Sequence, residues 1–221
     1  MKSKGKRALY KFFVAIGVLL LISAASLTIY NFYDDTRAGD YVSDAIKSLS
    51  GQIPGYDLLD NSMVKNDAFD GTGTEYPDYL LNPDMPMPEK SVDGKKYVAI
   101  IKIPKLKLEL PVMSKWSYDN LRDAPCRYSG SAYKDNLVIA AHNYTKHFGA
   151  LTSLLIGDTV NLVDMDGNVF EYKVFALETL EPDKVKEMTS GQADLSLFTC
   201  TIGGQYRVTV RCERVNKIKI E

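Results

Sequence analysis

The stretch LSLFTC, residues 195–200, ends in a cysteine, and RVTVR, residues 207–211, begins with an arginine; residues 201–206 lie between them. Both stretches alternate apolar and polar residues as half-buried strands do, so a loop joining them brings Cys200 and Arg207 to mirrored positions. A thiolate attacks carbonyl carbon, and a guanidinium offers a fixed fork of donors to the oxyanion that forms. Arginine does not deprotonate, so a base must come from elsewhere. The chain has two histidines. His142 directly follows the apolar run NLVIAA, residues 136–141, whereas His147 falls five residues on in an expected loop and is the weaker candidate. The plain alternative makes Cys200 a small buried hydrophobe, with Arg207 and His142 as solvated strand-end residues.

Three cysteines, Cys126, Cys200 and Cys212, leave at least one thiol unpaired within the chain. Alternation in residues 205–214 puts Val208, Val210 and Cys212 on one face and Arg207, Thr209 and Arg211 on the other. Cys212 is therefore expected in the core, and a bridge between Cys126 and Cys212 stays open, since spacing cannot fix disulfide geometry. Cys200 is left as the reactive candidate.

The elements that must carry these residues are mostly short strands. YVAIIKI, LKLELPVM, NLVIAA, TVNLVD, VFEYKVFAL and the final pair all read as strands, with helical turns at 118–122 and EPDKVKEM. Asp166-Gly167 marks a hairpin between TVNLVD and VFEYKVFAL. DMDGN, residues 164–168, resembles the start of a calcium loop, but Val169 and Phe175 stand where that loop needs glycine and glutamate, so it is a turn. The expected fold is mainly β, a closed or nearly closed barrel of seven to eight strands with short helices, preceded by an N-terminal transmembrane helix.

That helix follows from Phe12 to Tyr33, 22 residues without a charge, long enough to cross a bilayer of about 30 Å. Lys2, Lys4, Lys6, Arg7 and Lys11 precede it, and the positive-inside rule keeps them cytoplasmic. A cleaved signal peptide is the rival, favoured by the small residues Ser23 to Ala25; the length of the run and the aromatic cluster Tyr30, Phe32 and Tyr33 favour an anchor. Setting those five aside from 27 basic residues leaves 22 against 28 acidic ones, a net −6, which argues against nucleic acid as a partner. The expected organisation is a basic tip at 1–11, a span at 12–33, a stalk at 34–94 and a β domain at 95–221. The stalk reads as a short helix with Tyr41, Ala45 and Leu49 on one side, then a connector rich in Gly, Pro, Asp and Asn. Leu80, Leu81, Met85 and Met87 point to partial packing of that connector, and bracing of the barrel is expected rather than a lid.

These residues resemble the sortase family. LSLFTC followed by RVTVR is similar to the Thr-Leu-x-Thr-Cys strand and downstream arginine of that family, NLVIAAHN to the strand ending in its histidine, and YVAIIKIPKLKLELPVM to its opening strands. The resemblance spans about Tyr97 to Val215. It implies a membrane-anchored cysteine transpeptidase with an extracellular catalytic domain, cutting an LPxTG-like sorting signal between Thr and Gly. The acyl group then passes to an amine on a cell-wall precursor or pilin. It further implies Cys200, His142 and Arg207 as catalytic residues, Thr199 and Asn143 as binding or orienting ones, and no cofactor or metal. Ser196 replaces the usual threonine and Ala141 the usual glycine. Asn143 and the Asn82-Pro83-Asp84 run are similar to class B, but the stretch between Leu177 and Leu195 is too short for the helical insertion of that class. Two other functions fit the same residues: an exported hydrolytic cysteine peptidase, and a non-enzymatic surface assembly module. An L,D-transpeptidase does not, since no histidine closely precedes a cysteine.

Overall fold

The structure is a computed structural model and describes residues 2–56, 76–190 and 192–217. The glycine- and asparagine-rich part of the expected connector, 57–75, lies outside the described residues, as do the side chains of the basic tip before Leu9. Two units divide the chain, Met1–Arg37 and Ala38–Glu221.

The first unit is helical throughout its described length. Its apolar side chains are exposed, Leu21 at 72% and Phe32 at 74%, and from Leu9 the helix is long and apolar enough to cross a membrane. Helix α1 runs from Lys2 to Ser50 without a break, so residues 34–49 continue it instead of starting anew. Nothing in 34–50 stops a helix: that stretch contains no proline.

In the second unit, Ala38, Val42, Ala45 and Leu49 recur at helical spacing on one buried face of α1, continued by Ile53 and Tyr56. Val42 joins the main core, whereas Ala45, Leu49, Ile53 and Tyr56 join Tyr97, Ile100, Met113 and Cys126 in a second cluster. Tyr41, expected on this face, is half-buried, and its hydroxyl lies 2.7 Å from that of Tyr97.

The barrel has eight strands: β2 (Lys95–Ile103), β3 (Leu108–Met113), β4 (Cys126–Ser129), β5 (Leu137–Ala140), β6 (Thr159–Asp164), β7 (Val169–Leu180), β8 (Leu195–Cys200) and β9 (Arg207–Arg214). Their order is β2-β3-β4-β5-β8-β9-β7-β6, and the β2–β6 pairing closes the ring; β1 (Lys90–Val92) adds to the start of β2. All neighbours are antiparallel except β3–β4 and β5–β8. The expected Asp166-Gly167 hairpin joins β6 to β7, with Gly167 at φ 87°. Asp164 fixes this turn by accepting from Asp166 N, Asn168 N and Asn168 Nδ2.

The proline-rich segment closes one end of the barrel. Tyr79, on the short helix α2 (Asp78–Leu81), stacks on Tyr133 at 4.7 Å and lies 5.3 Å from Phe170, and Met87 is buried in the same core. Arg214 caps this plug: Nη2 donates to the Tyr79 hydroxyl at 3.1 Å, and the guanidinium lies 4.6 Å from the Phe170 ring. Arg214 ends β9, and its backbone N–H donates to Asp194, just before β8. The plug therefore sits at the opposite end of β8 from Cys200, and the segment braces the barrel without covering the cysteine.

Candidate active site

Strand parity decides which side of the barrel wall each candidate occupies. Leu195, Leu197, Val210 and Cys212 lie in the main core, so Ser196, Phe198 and Cys200 on β8 and Arg207, Thr209 and Arg211 on β9 face outward. Cys200 and Arg207 are direct cross-strand partners. On the other flank, β5 pairs in parallel with β8, Ala140 opposite Phe198, and Ala141 N donates to Phe198 O at 3.1 Å. Leu137, Ile139 and Ala141 belong to the core, and His142 follows two residues beyond the last β5–β8 pair, as Cys200 does on β8. Adjacent strands are about 4.8 Å apart. Cys200 and Arg207 thus end neighbouring strands as a direct pair, and the strand on the other side of β8 leads into His142.

The loops hold these strand ends. Thr201 N donates to Tyr206 O at 2.9 Å and Tyr206 N to Thr201 Oγ1 at 3.1 Å, while Gly203 and Gly204 take the positive φ values that turn the chain. Arg207 Nη1 donates to Gly204 O and Tyr206 O at 3.0 and 3.2 Å, which ties the guanidinium to the loop. After His142 the chain folds back: Phe148 N donates to His142 O, and Gly149 N to Tyr144 O. The Tyr144 ring lies 4.8 Å from His142 and 5.3 Å from His147. His147 is wholly buried, whereas His142 is half-buried.

The other candidates separate. Thr199 is buried and faces the barrel interior, so any influence on the site passes through the strand. Asn143 is exposed beside His142. Cys126 and Cys212 are both free, and they belong to different apolar clusters, so no bridge joins them. Burial pushes the Cys126 thiol up to about 12 and the Cys212 thiol further upward, which keeps both protonated. Cys200 alone is partly exposed. Among the described residues no group of three His, Cys, Asp or Glu converges to hold a metal ion.

Two features had only faint sequence signals. Phe198 begins an aromatic run on the outer face, 5.3 Å from Tyr128, which is 5.8 Å from Trp116, which is 5.0 Å from Tyr118. These residues come from separated stretches, Tyr118 from the start of helix α3 (Tyr118–Asp123), and nothing short of the fold joins them. Arg211 is only 6% exposed although it points outward. Alternation had placed it on the face of Arg207, but its burial depends on α4 (Val185–Thr189), which covers it.

Residues 101–215 match the family model of the sortase domain. The chain belongs to the sortase family. Sortase A of Bacillus anthracis is 26% identical over 191 residues, covering 84% of this chain and 85% of that protein. Among solved structures, Sortase A from Corynebacterium diphtheriae matches with a TM-score of 0.50 at 20% identity, covering 85% of this chain and 86% of its own. Streptococcus pneumoniae Sortase C matches with a TM-score of 0.53 at 20% identity, covering 80% of this chain and all of its own. At the sortase departure Ser196 the hydroxyl is kept and accepts from Arg211 Nη1 at 2.8 Å. Among the described residues of the connection between β7 and β8, the one helix is the five-residue α4, in keeping with the short spacing.

Proposed function

We propose that this sortase is an anchored transpeptidase that cleaves an LPxTG-like sorting signal between Thr and Gly and transfers the threonyl acyl group to an amine. Cys200 attacks the threonine carbonyl carbon as thiolate, forming the C–S bond and a tetrahedral oxyanion. Arg207 stands across the hairpin from the sulfur, where its donors stabilise that oxyanion or hold the peptide backbone. His142, protonated, gives its proton to the leaving glycine nitrogen as the C–N bond breaks, leaving a thioester on Cys200. The incoming amine then attacks the thioester, His142 accepts its proton, and the thiolate departs. The substrates are surface proteins or pilins bearing the signal, and the acceptor is an amine on a cell-wall precursor or pilin. Residues 12–33 span the membrane once, with 1–11 cytoplasmic, 34–94 as an external stalk and 95–221 as the catalytic domain.

The observation that supports this reading best is the direct pairing of Cys200 with Arg207, on the strand whose other neighbour, β5, leads into His142. The test is incubation of the full chain in detergent with a panel of Leu-Pro-x-Thr-Gly peptides and triglycine, read by mass spectrometry, with Cys200→Ala as control. Transfer product that needs Cys200 supports the transpeptidase. Acid product alone, unchanged by triglycine, makes it a hydrolytic peptidase.

A further inference from the structure

Arg211 is an outward-facing arginine that the barrel has no need to bury, yet its side chain is only 7% exposed. A guanidinium removed from water needs partners for its donors. Nε donates to Glu178 Oε1 on β7 at 2.5 Å, and Nη1 to Ser196 Oγ on β8 at 2.8 Å. Nη1 also reaches Met188 O at 3.0 Å, and Nη2 reaches Glu187 O at 2.8 Å. Those two carbonyls belong to the last turn of α4, whose final C=O groups lack partners within the helix. Thr209 Oγ1 adds a contact to the Met188 sulfur at 3.8 Å, and Met188 is buried beneath the turn. A helix of five residues has no stability of its own, so its place is set by what grips it.

The gripped turn matters because of where it stands. Thr209 pairs with Phe198, one pleat from the Cys200–Arg207 pair, and Arg211 pairs with Ser196, two pleats away. At about 3.4 Å per residue the end of α4 rises roughly 7–14 Å from the sulfur along the same face. A peptide extended along β8 with its scissile carbonyl at Cys200 meets that wall two to four residues from the cleaved bond.

We propose that Arg211 is a positioning residue for peptide binding, holding α4 as the wall that contacts substrate away from the scissile bond. This rests on Cys200 being the nucleophile of a peptide transferase. A lysine cannot reproduce the fork, since one ammonium does not span two carbonyls, a hydroxyl and a carboxylate.

The experiment compares the full chain with R211K and the milder E178Q, using whichever Leu-Pro-x-Thr-Gly peptide the unmodified chain cleaves fastest. Expected for R211K is a KM rise of about tenfold with kcat within about twofold. Iodoacetamide labelling of Cys200 stays unchanged, and amide exchange across 185–190 becomes faster. E178Q shifts KM and exchange in the same directions by less. Faster exchange with unchanged KM, unchanged exchange, or a fall in kcat and labelling at constant KM each overturns the proposal. Failure of the unmodified chain to cleave any peptide overturns the function itself and the substrate role of Arg211 with it, and is recognisable because no variant is involved.

Discussion

Cys200 and Arg207 face each other across the loop end of the β8–β9 hairpin, on the outer wall of the barrel. The pairing makes a definite demand on Arg207 variants. Arg207→Ala is expected to lower kcat by about 10²- to 10³-fold, the usual cost of losing an oxyanion donor. Iodoacetamide labelling of Cys200 should persist, since the guanidinium acts on the substrate oxygen. Loss of labelling would assign the arginine to the thiol instead.

The three thiols should separate by reactivity. Burial holds Cys126 and Cys212 protonated, so the native protein takes up one equivalent of iodoacetamide at neutral pH, at Cys200, and the denatured protein takes up three. Peptide mapping after labelling reads this directly.

Alkaline pH should destabilise the fold through the same buried thiols. The folded Cys126 thiol is raised from 9.0 to about 12, so above pH 9 the unfolded chain releases protons that the folded chain keeps. Its contribution is complete below pH 9 and is lost as pH rises towards 12. Tyr97, Tyr133 and Tyr172, also raised by burial, act in the same direction. Urea melts from pH 8 to 11 should show falling stability, with a shallower fall for Cys126→Ala.

The plug at the far end of the barrel predicts a loss of stability without a loss of chemistry. Tyr79→Ala removes a buried stacked ring and is expected to cost about 3–5 kcal/mol, and Tyr79→Phe, which strips one partner from Arg214, about 1 kcal/mol. Cys200 labelling in both should match the unmodified chain below their melting temperatures.

Gly149 offers a probe of the histidine loop. A Cβ there would lie 2.6 Å from Asn143 O and 2.7 Å from Tyr144 O, so Gly149→Ala must displace the turn that follows His142. Reduced kcat with little change in the far-ultraviolet spectrum is the expected result.

Much of this was legible in the sequence because strands with one buried face advertise their parity. Alternation in 205–214 put Cys212 inside and Arg207 outside, and both are so placed. Period-2 patterning carries no information on which strands become neighbours. The parallel β5–β8 pairing is therefore invisible in the sequence; the family resemblance named His142 as a partner of Cys200 without saying which strands adjoin. The clamp at Arg211 was hidden for a related reason: an outward arginine is read as solvated until a helix from another segment is known to cover it. Helix α1 was divided at Tyr33 because composition changes there from apolar to acidic, yet helix formation depends on backbone freedom and side-chain entropy, which do not change at that point.

Because Cys200 and Arg207 sit on the outside of a closed wall whose interior is filled by the core, the proposed site is a ledge and not a tunnel. A tunnel must be threaded from a free end. A ledge accepts the middle of a chain laid against it from the side, so under the proposed function a protein already folded on one side of the cut and tethered on the other needs no unravelling.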